Sequence, residues 1–254
     1  MSIENSVALV TGGGTGIGRA VCEQLAQRGA TTVIINYSRS EDEASDTAKT
    51  LRDFGCRAEL AQADVGDDAA VRRMVESTVR KHGRLDILVN NAGITVGVPF
   101  TDLDALTDEV WDRLLRVNLI GPFYCARAAG PALKKAHGAI VNICSTAGYR
   151  AAGSSLAYGV SKAGLLQLTR GLALALAPEV RVNAVSPGMV TTRWHDSLVG
   201  ADQAVLNART EAERVPLHQV ANASDVARAV MGLLESELVT GESLIVDGGK
   251  HILY

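Results

Sequence analysis

The chain has 254 residues, a formal net charge of −3, 47% hydrophobic residues and only 4% aromatic ones. That balance argues against nucleic acid or an anionic membrane surface as a partner. No uncharged apolar run approaches the ~18 residues that a spanning helix needs, and the opening MSIENSVALV has no basic stretch that would make it a secretory signal.

At this length a folded chain removes roughly 70–75% of its unfolded surface from water, enough for one domain with a sizeable core. With so few aromatics, that core must be Ala, Val, Leu and Ile. The 25 glycines suit tight turns and close backbone approaches. Cys22, Cys56, Cys125 and Cys144 are widely spaced, form no CxxC pair and read as reduced core residues of a cytoplasmic protein. His82, His137, His195, His218 and His251 show no metal-ligand spacing, so no metal is expected.

In chain order, SVALV reads as a short strand ending at Val10, followed by the glycine-rich TGGGTGIG, Thr11 to Gly18. A helix-period run then stops at Gly29. TTVIINY is a second strand, and the polar-faced segment from a capping Ser40 to Gly55 is a helix. AELAQADV is a third strand with its tail, DDAAVRRMVESTVRKHG a helix closed by Gly83, and DILVNNAG a fourth strand and turn. Residues 104–138 read as mostly helical, jointed around Gly121–Pro122. GAIVNICS is a fifth strand, residues 155–178 a long helix apolar almost all round, VRVNAVSPG a sixth strand, SDVARAVMGLLES a helix and ESLIVDGG a seventh strand. Strand–helix alternation predicts right-handed crossovers. The expected fold class is therefore α/β: a single-domain, Rossmann-type, doubly wound parallel seven-stranded sheet with helices on both faces, covering residues 1–254. Residues 189–218 mix Thr, Trp, His, charge and helix formers, and read as a substrate flap over the carboxyl edge of the sheet.

Between a strand and a helix, backbone N–H groups and the helix dipole can hold a pyrophosphate. In that reading Gly12 allows the turn, Gly16 lets backbone approach phosphate, and Gly18 lets the helix pack close. A tight turn with no ligand would use the same glycines. Further on, AYGVSK puts Tyr158 and Lys162 one helical turn apart. A free phenol titrates near pH 10, and a neighbouring cation pulls that value down. Alone, the pair is equally a tyrosine that happens to stand beside a lysine.

The spacing T-G-x-x-x-G-x-G, with NNAG at Asn90 to Gly93, Asn118 on the next helix, Ser145 after a strand, Tyr158 and Lys162, resembles the short-chain dehydrogenases/reductases. The likeness runs from Val7 to the terminal VDGG, and the motifs fall in the family's order and spacing. It implies an NAD(P)-dependent oxidoreductase interconverting a ketone or aldehyde and an alcohol. Tyr158 would act as general acid or base, Lys162 would lower its pKa and bond the nicotinamide ribose, and Ser145 would orient the substrate oxygen. Asn118 would hold a water linking Lys162 to solvent. For the cofactor, the resemblance implies Gly12, Thr15, Gly16, Ile17 and Gly18 along the pyrophosphate. Asp64 and Val65 would meet the adenine, and Asn91, Ala92 and Gly93 would pass beneath the adenosine ribose. Pro187, Gly188 and Thr192 would meet the nicotinamide amide.

An NAD-preferring relative carries an acid at the end of the second strand. Here that strand ends Ile35-Asn36-Tyr37-Ser38-Arg39, with Tyr37 in the acid's place. Arg39 can meet a 2′-phosphate bidentately and Ser38 can add a hydroxyl, favouring NADP(H) with NAD(H) as the alternative. Glu41 and Asp42 follow and would repel a phosphate if they pointed inward.

The pocket is expected between Ile94–Phe100, Ala147–Ser154 and the flap, with Val96, Val98, Tyr149, Leu156, Trp194 and Leu198 giving an apolar, uncharged substrate region and His195 at its rim. The overall likeness is to the 3-oxoacyl carrier-protein reductase branch. That branch binds an acidic carrier through basic side chains near the site. This chain has Lys134 and Lys135 near the first such place but Pro178 and Glu179 at the second, so a carrier-bound substrate is the alternative to a free carbonyl compound. A non-catalytic dinucleotide sensor would lack Tyr158, Lys162 or Ser145, and dehydratase or epimerase relatives usually run longer with T-G-x-x-G-x-x-G. Leu165, Leu168, Leu172 and Leu176 on the long helix, which pairs with a twofold mate in relatives, suggest a homotetramer or a homodimer.

Overall fold

The computed structural model describes residues 2–192 and 198–253. The first half alternates β1 (Val7–Val10), α1 (Gly16–Gln27), β2 (Thr32–Tyr37), α2 (Glu41–Asp53), β3 (Arg57–Gln62), α3 (Asp68–His82) and β4 (Ile87–Asn90). The second half runs α4 (Asp108–Leu115), a π-helical turn (Arg116–Ile120), α5 (Gly121–Ala136), β5 (Ala139–Ile143), a 3₁₀ turn (Thr146–Gly148), α6 (Leu156–Leu176) and β6 (Arg181–Pro187). It finishes with β7 (Val190–Thr191), α7 (Ala201–Arg214), β8 (Ala221–Asn222), α8 (Ala223–Glu235) and β9 (Ser243–Val246).

Seven parallel strands form one sheet in the order β3-β2-β1-β4-β5-β6-β9. Strands such as VALV and ILVN are buried along their whole length, because helices cover both faces. Alternate residues serve opposite cores. Ala8 and Val10 join the apolar cluster under α1, α2 and α8, while Val7 and Leu9 join the one under α3, α5 and α6. The chain runs outward in both directions from β1 and β4, so the carboxyl ends of these two strands splay apart and open a crevice.

Local chemistry fixes most helix ends. Asp67 accepts from the amides of Ala69 (2.9 Å) and Ala70 (3.2 Å) at the start of α3, and Gly83 closes that helix at φ 73°. Ser40 precedes α2 but its side chain makes no cap; Glu41, Asp42 and Glu43 in the first turn satisfy the helix dipole instead. The joint expected at Gly121–Pro122 is not a break. Residues 116–120 form a π turn in which the Gly121 amide donates to the Arg116 carbonyl. Pro122 has no N–H for the Asn118 carbonyl, so an uninterrupted α register cannot pass through this point.

The leucine stripe on α6 also differs from expectation. Leu165 and Leu172 are buried in the protein's own core, with Leu168 and Leu176 packed against it. The surface that α6 leaves open carries Val160 and Leu174, the latter 84% exposed. Within the described part of residues 189–218, β7 and α7 form the flap, and β7 pairs with β8 through Val190–Ala221 and Thr191–Asn222. Trp194 and His195 lie outside the described residues. Among the described residues no helix is long and apolar enough to cross a membrane, and no group of three His, Cys, Asp or Glu side chains is placed to hold a metal ion.

Candidate active site

A cleft of about 1500 Å³ opens over the carboxyl ends of the strands. Its floor at one end is the glycine-rich turn. Gly12 (φ 62°) and Gly16 (φ 52°) hold left-handed conformations that glycine adopts without strain. A Cβ at Gly16 would meet only the Thr192 methyl, at 3.6 Å, so this backbone faces open cleft. Thr15, at the N-cap of α1, makes no side-chain cap, which leaves first-turn amides for an anion. Thr15, Gly16 and Ile17 line the cleft with Gly12. A dinucleotide pyrophosphate fits this cradle.

Gly18 does not line the cleft. A Cβ there would lie 2.2 Å from the Gly12 carbonyl oxygen and 2.5 Å from Asn91 Nδ2, so its work is close packing of α1 on the turn. Asn91 Nδ2 donates to the carbonyls of Thr11 (2.9 Å) and Gly12 (3.0 Å), while Thr11 Oγ1 accepts from the amides of Asn91 (2.9 Å) and Ala92 (3.0 Å). NNAG thus locks the glycine-rich turn to the end of β4. Sequence reasoning missed Asn36, whose Oδ1 accepts from the Gly12 amide (3.3 Å) and whose Nδ2 donates to the carbonyls of Ala61 and Ala63 (both 3.0 Å).

At the end of β2, Tyr37, Ser38 and Arg39 all line the cleft. Ser38 and Arg39 are exposed, whereas Tyr37 is buried, 6% exposed. Desolvation and a hydrogen bond with Glu41 push the Tyr37 hydroxyl up from its usual range. That bond draws Glu41 to Tyr37. Asp64 and Val65 line the neighbouring wall, with one Asp64 oxygen accepting from the Gly66 amide at 2.8 Å. Asn91, Ala92 and Gly93 also line the cleft, as do Pro187 and Gly188 at the end of β6 and Thr192 just after β7.

Ser145, Tyr158 and Lys162 come together at the other end of the cleft. Ser145 caps the 3₁₀ turn after β5, accepting from the Ala147 amide at 3.2 Å. Buried Ser155 caps α6 and accepts from the Tyr158 amide at 3.2 Å, which sets Tyr158 in the first turn. Lys162 is 3% exposed; its Nζ donates to the Ile143 carbonyl at 2.8 Å and lies 5.8 Å from the centre of the Tyr158 ring. The expected lowering of the phenol by this cation is not seen in the free protein. Desolvation pushes Tyr158 up to about 12, and a hydrogen bond with the Ser145 side chain only partly opposes it. Burial lowers Lys162 itself, and one of its three N–H donors goes to a backbone carbonyl.

Asn118 is fully buried and does not line the cleft. Its Oδ1 accepts from the Ile94 amide (2.8 Å), and its Nδ2 donates to the Ile94 carbonyl (2.9 Å) and to Ser161 Oγ (3.1 Å). Ser161 in turn donates to the Tyr158 carbonyl at 2.7 Å. Both side-chain donors are therefore committed to protein, and Asn118 ties the loop after β4 to the helix that carries Tyr158. A second polar chain, also not anticipated, runs from Asn90 to Asn142 (2.9 Å) and from Asn142 to Thr169 (2.9 Å), joining β4, β5 and α6.

Of the expected substrate wall, Val98 and Leu198 line the cleft while Val96, Tyr149 and Leu156 do not. Arg113, Arg116, Arg150, Glu211 and Lys250 line it without having been foreseen. Lys134 stands 3.8 Å from Glu179, so the acid near one of the two places considered for a carrier offsets the base near the other. The four cysteines are buried thiols, and desolvation raises Cys125 and Cys144 to about 12, which makes them inert as nucleophiles.

Comparison with known proteins agrees with this geometry. The family model described as Enoyl-(Acyl carrier protein) reductase matches residues 12–251. The chain is 43% identical over 251 residues to "Granaticin polyketide synthase putative ketoacyl reductase 2" of Streptomyces violaceoruber, covering 98% of both chains. It is 34% identical to the 3-oxoacyl-[acyl-carrier-protein] reductase FabG of Staphylococcus aureus strain Mu50, covering 96% of this chain and 98% of that one. A solved structure from Burkholderia xenovorans, described as a "putative short-chain dehydrogenase/reductase", superposes with a TM-score of 0.89 at 34% identity, covering 98% of each chain. A dinucleotide cradle, a Ser–Tyr–Lys cluster and relatives of matching length agree, and the chain belongs to the short-chain dehydrogenase/reductase family, NAD(P)(H)-dependent oxidoreductases of CH–OH and C=O groups.

Proposed function

We propose that the protein reduces a ketone or aldehyde with NADPH, with Tyr158 giving the proton to the carbonyl oxygen. The observation that carries this reading is the hydrogen bond between Tyr158 and Ser145, beside buried Lys162, in the cleft that also holds the glycine-rich turn. NADPH, when bound, supplies the hydride. Ser145 holds the carbonyl oxygen next to the phenol. With its pKa near 12 in the free protein, Tyr158 keeps its proton at neutral pH and is a stored donor. As charge grows on the substrate oxygen, that oxygen becomes the stronger base and takes the proton. The phenolate left behind is stabilised by the Ser145 hydroxyl and by the Lys162 ammonium. Asn118 acts as a positioning residue for α6.

The preference for NADPH rests on Ser38 and Arg39, exposed in the cleft where β2 ends, and on Tyr37 in place of an acid. The Glu41 carboxylate beside Tyr37 opposes a 2′-phosphate, so the cation of Arg39 has to outweigh it. Asp64 and Val65 are assigned to the adenine, Asn91 to Gly93 to its ribose, and Pro187, Gly188 and Thr192 to the nicotinamide amide. A free ketone or aldehyde is favoured. A second reading, a β-ketoacyl group on a carrier protein, is supported by the names of the two relatives and weakened by the Lys134–Glu179 contact. A homotetramer or dimer is supported by exposed Val160 and Leu174 on α6 and by Leu244 on the edge strand β9; light scattering showing a stable monomer would contradict it. The reading includes a cytoplasmic location, open to test by cell fractionation.

The test is NADPH consumption with a panel of ketones, β-ketoacyl thioesters and α,β-unsaturated thioesters, with Tyr158→Phe alongside. Wild-type turnover of carbonyls is expected, with a loss on the order of a thousandfold in Tyr158→Phe while NADPH still binds. Turnover of the unsaturated thioesters alone would overturn the carbonyl assignment. No turnover at all would favour a dinucleotide sensor.

A further inference from the structure

The substrate end of the cleft is partly built by α7, a helix with little of its own to hold it down. Ala204 is its only fully buried residue among those described, and Val205 and Leu206 are more than half exposed. Few apolar contacts mean a low local stability. Yet Leu198 and Val199, just ahead of α7, line the cleft.

Among the described residues, an ion pair links this helix to the body of the protein. Lys250 pairs with Glu211 in the last turn of α7; the side chains are only 25% and 11% exposed, and both line the cleft. The backbone that presents Lys250 is held firmly. Gly248 (φ 66°) and Gly249 (φ 86°) make a left-handed turn after β9. The Gly248 carbonyl accepts from the Leu217 amide at 3.0 Å, just beyond the end of α7. Asp247 accepts from the Gly249 amide (2.9 Å) and the His251 amide (2.8 Å), and its Oδ1 also lies 2.9 Å from His251 Nδ1. Its Cβ lies so close to Gly188 that a side chain there would come within 2.7 Å. The anchor is therefore continuous with the strand end assigned to the nicotinamide.

We propose that Lys250 is a positioning residue for the carbonyl substrate, acting through Glu211. The ion pair fastens α7 and so fixes the wall that Leu198 and Val199 contribute. This rests on the reading that the cleft reduces a carbonyl compound. An ion pair on an open surface contributes little, but this one is partly buried and ties down a helix that packing holds weakly.

The test uses the whole chain as Lys250→Ala, Glu211→Gln and the reversed pair Lys250→Glu with Glu211→Lys. Amide hydrogen exchange is read across residues 201–214, and KM, kcat and NADPH affinity are measured with the best ketone found. Each single variant is expected to speed exchange about fivefold and raise the ketone KM about fivefold, with the effect on KM rather than on kcat or NADPH affinity. The reversed pair restores both. Unchanged exchange in the single variants, faster exchange with an unmoved KM, or a reversed pair that restores neither would overturn the proposal. A wild-type chain that turns over no carbonyl would overturn the functional reading itself, and the ketone-positioning role with it. In that case the exchange data still report whether the ion pair ties down α7.

Discussion

Replacing Gly18 by alanine sets two effects of opposite sign against each other. Gly18 is the third residue of α1, and helix propensity alone would have alanine stabilise the fold by about 1 kcal/mol. Against that, the new methyl would lie 2.2 Å from the Gly12 carbonyl oxygen and 2.5 Å from Asn91 Nδ2. Ordinary contact begins near ~3.5 Å, so α1 and the turn must separate by about 1 Å. Overpacking of this kind costs about 1–3 kcal/mol. The separation also strains the bonds from Asn91 Nδ2 to the carbonyls of Thr11 and Gly12, about 1 kcal/mol each. The balance is a net loss of about 2–4 kcal/mol, or a drop in Tm of at least about 4 °C. NADPH affinity should fall too, because the displaced turn is the one assigned to the pyrophosphate. Thermal unfolding at fixed protein concentration and a fluorescence titration with NADPH measure the two effects. Gly232→Ala, at an exposed position of α8 with nothing within 4 Å of the new methyl, is the control and should gain about 1 kcal/mol. If Gly18→Ala behaved like its control and bound NADPH normally, the close-packing account of the turn would be wrong.

Arg39→Ala should raise the KM for NADPH by about tenfold or more, through loss of a charge-assisted phosphate contact, and leave NADH nearly untouched; equal effects on both would remove the phosphate assignment. Tyr158 should be among the last tyrosines to ionise on alkaline titration of the free protein, near its value of about 12, and Tyr158→Phe should remove that ultraviolet step. The unfolded chain releases the same proton near pH ~10. Stability from this group is therefore complete below about 10 and is lost as pH rises toward 12, an order that unfolding midpoints across the interval will check. Adding oxidised dinucleotide should move the step downward, and an unmoved step would leave Lys162 and the cofactor without a role in tuning the phenol.

The strand–helix alternation was legible because a strand covered on both faces has to be apolar throughout, and VALV and ILVN meet that demand. The glycine-rich turn was legible for a similar reason: backbone conformation and close approach select glycine at Gly12, Gly16 and Gly18. Gly18 shows the limit, since its spacing says that space is tight but not whether a ligand or the chain's own carbonyl fills it. Asn118 was found by its motif, yet its work was hidden, because partners such as Ile94 and Ser161 become neighbours only after α4, α5 and α6 assemble. Desolvation is likewise a property of the packed whole. Tyr158 and Lys162 one turn apart promise a lowered phenol, and only the fold reveals how much burial opposes it. The Lys250–Glu211 pair joins residues thirty-nine positions apart, one on α7 and one on the turn after β9, so no periodicity could announce it.

The short pairing of β7 with β8 has a consequence for how this enzyme can be altered. Val190 and Thr191 lie against Ala221 and Asn222, so the excursion that carries α7 leaves and rejoins the body at a single seam. A segment sewn shut at its base can be lengthened, shortened or exchanged while Ser145, Tyr158 and the glycine-rich turn keep their places. On the proposed reading the choice of compound and the transfer of hydride would be housed in separable parts, and grafting another excursion onto that seam should redirect selectivity without rebuilding the reaction centre.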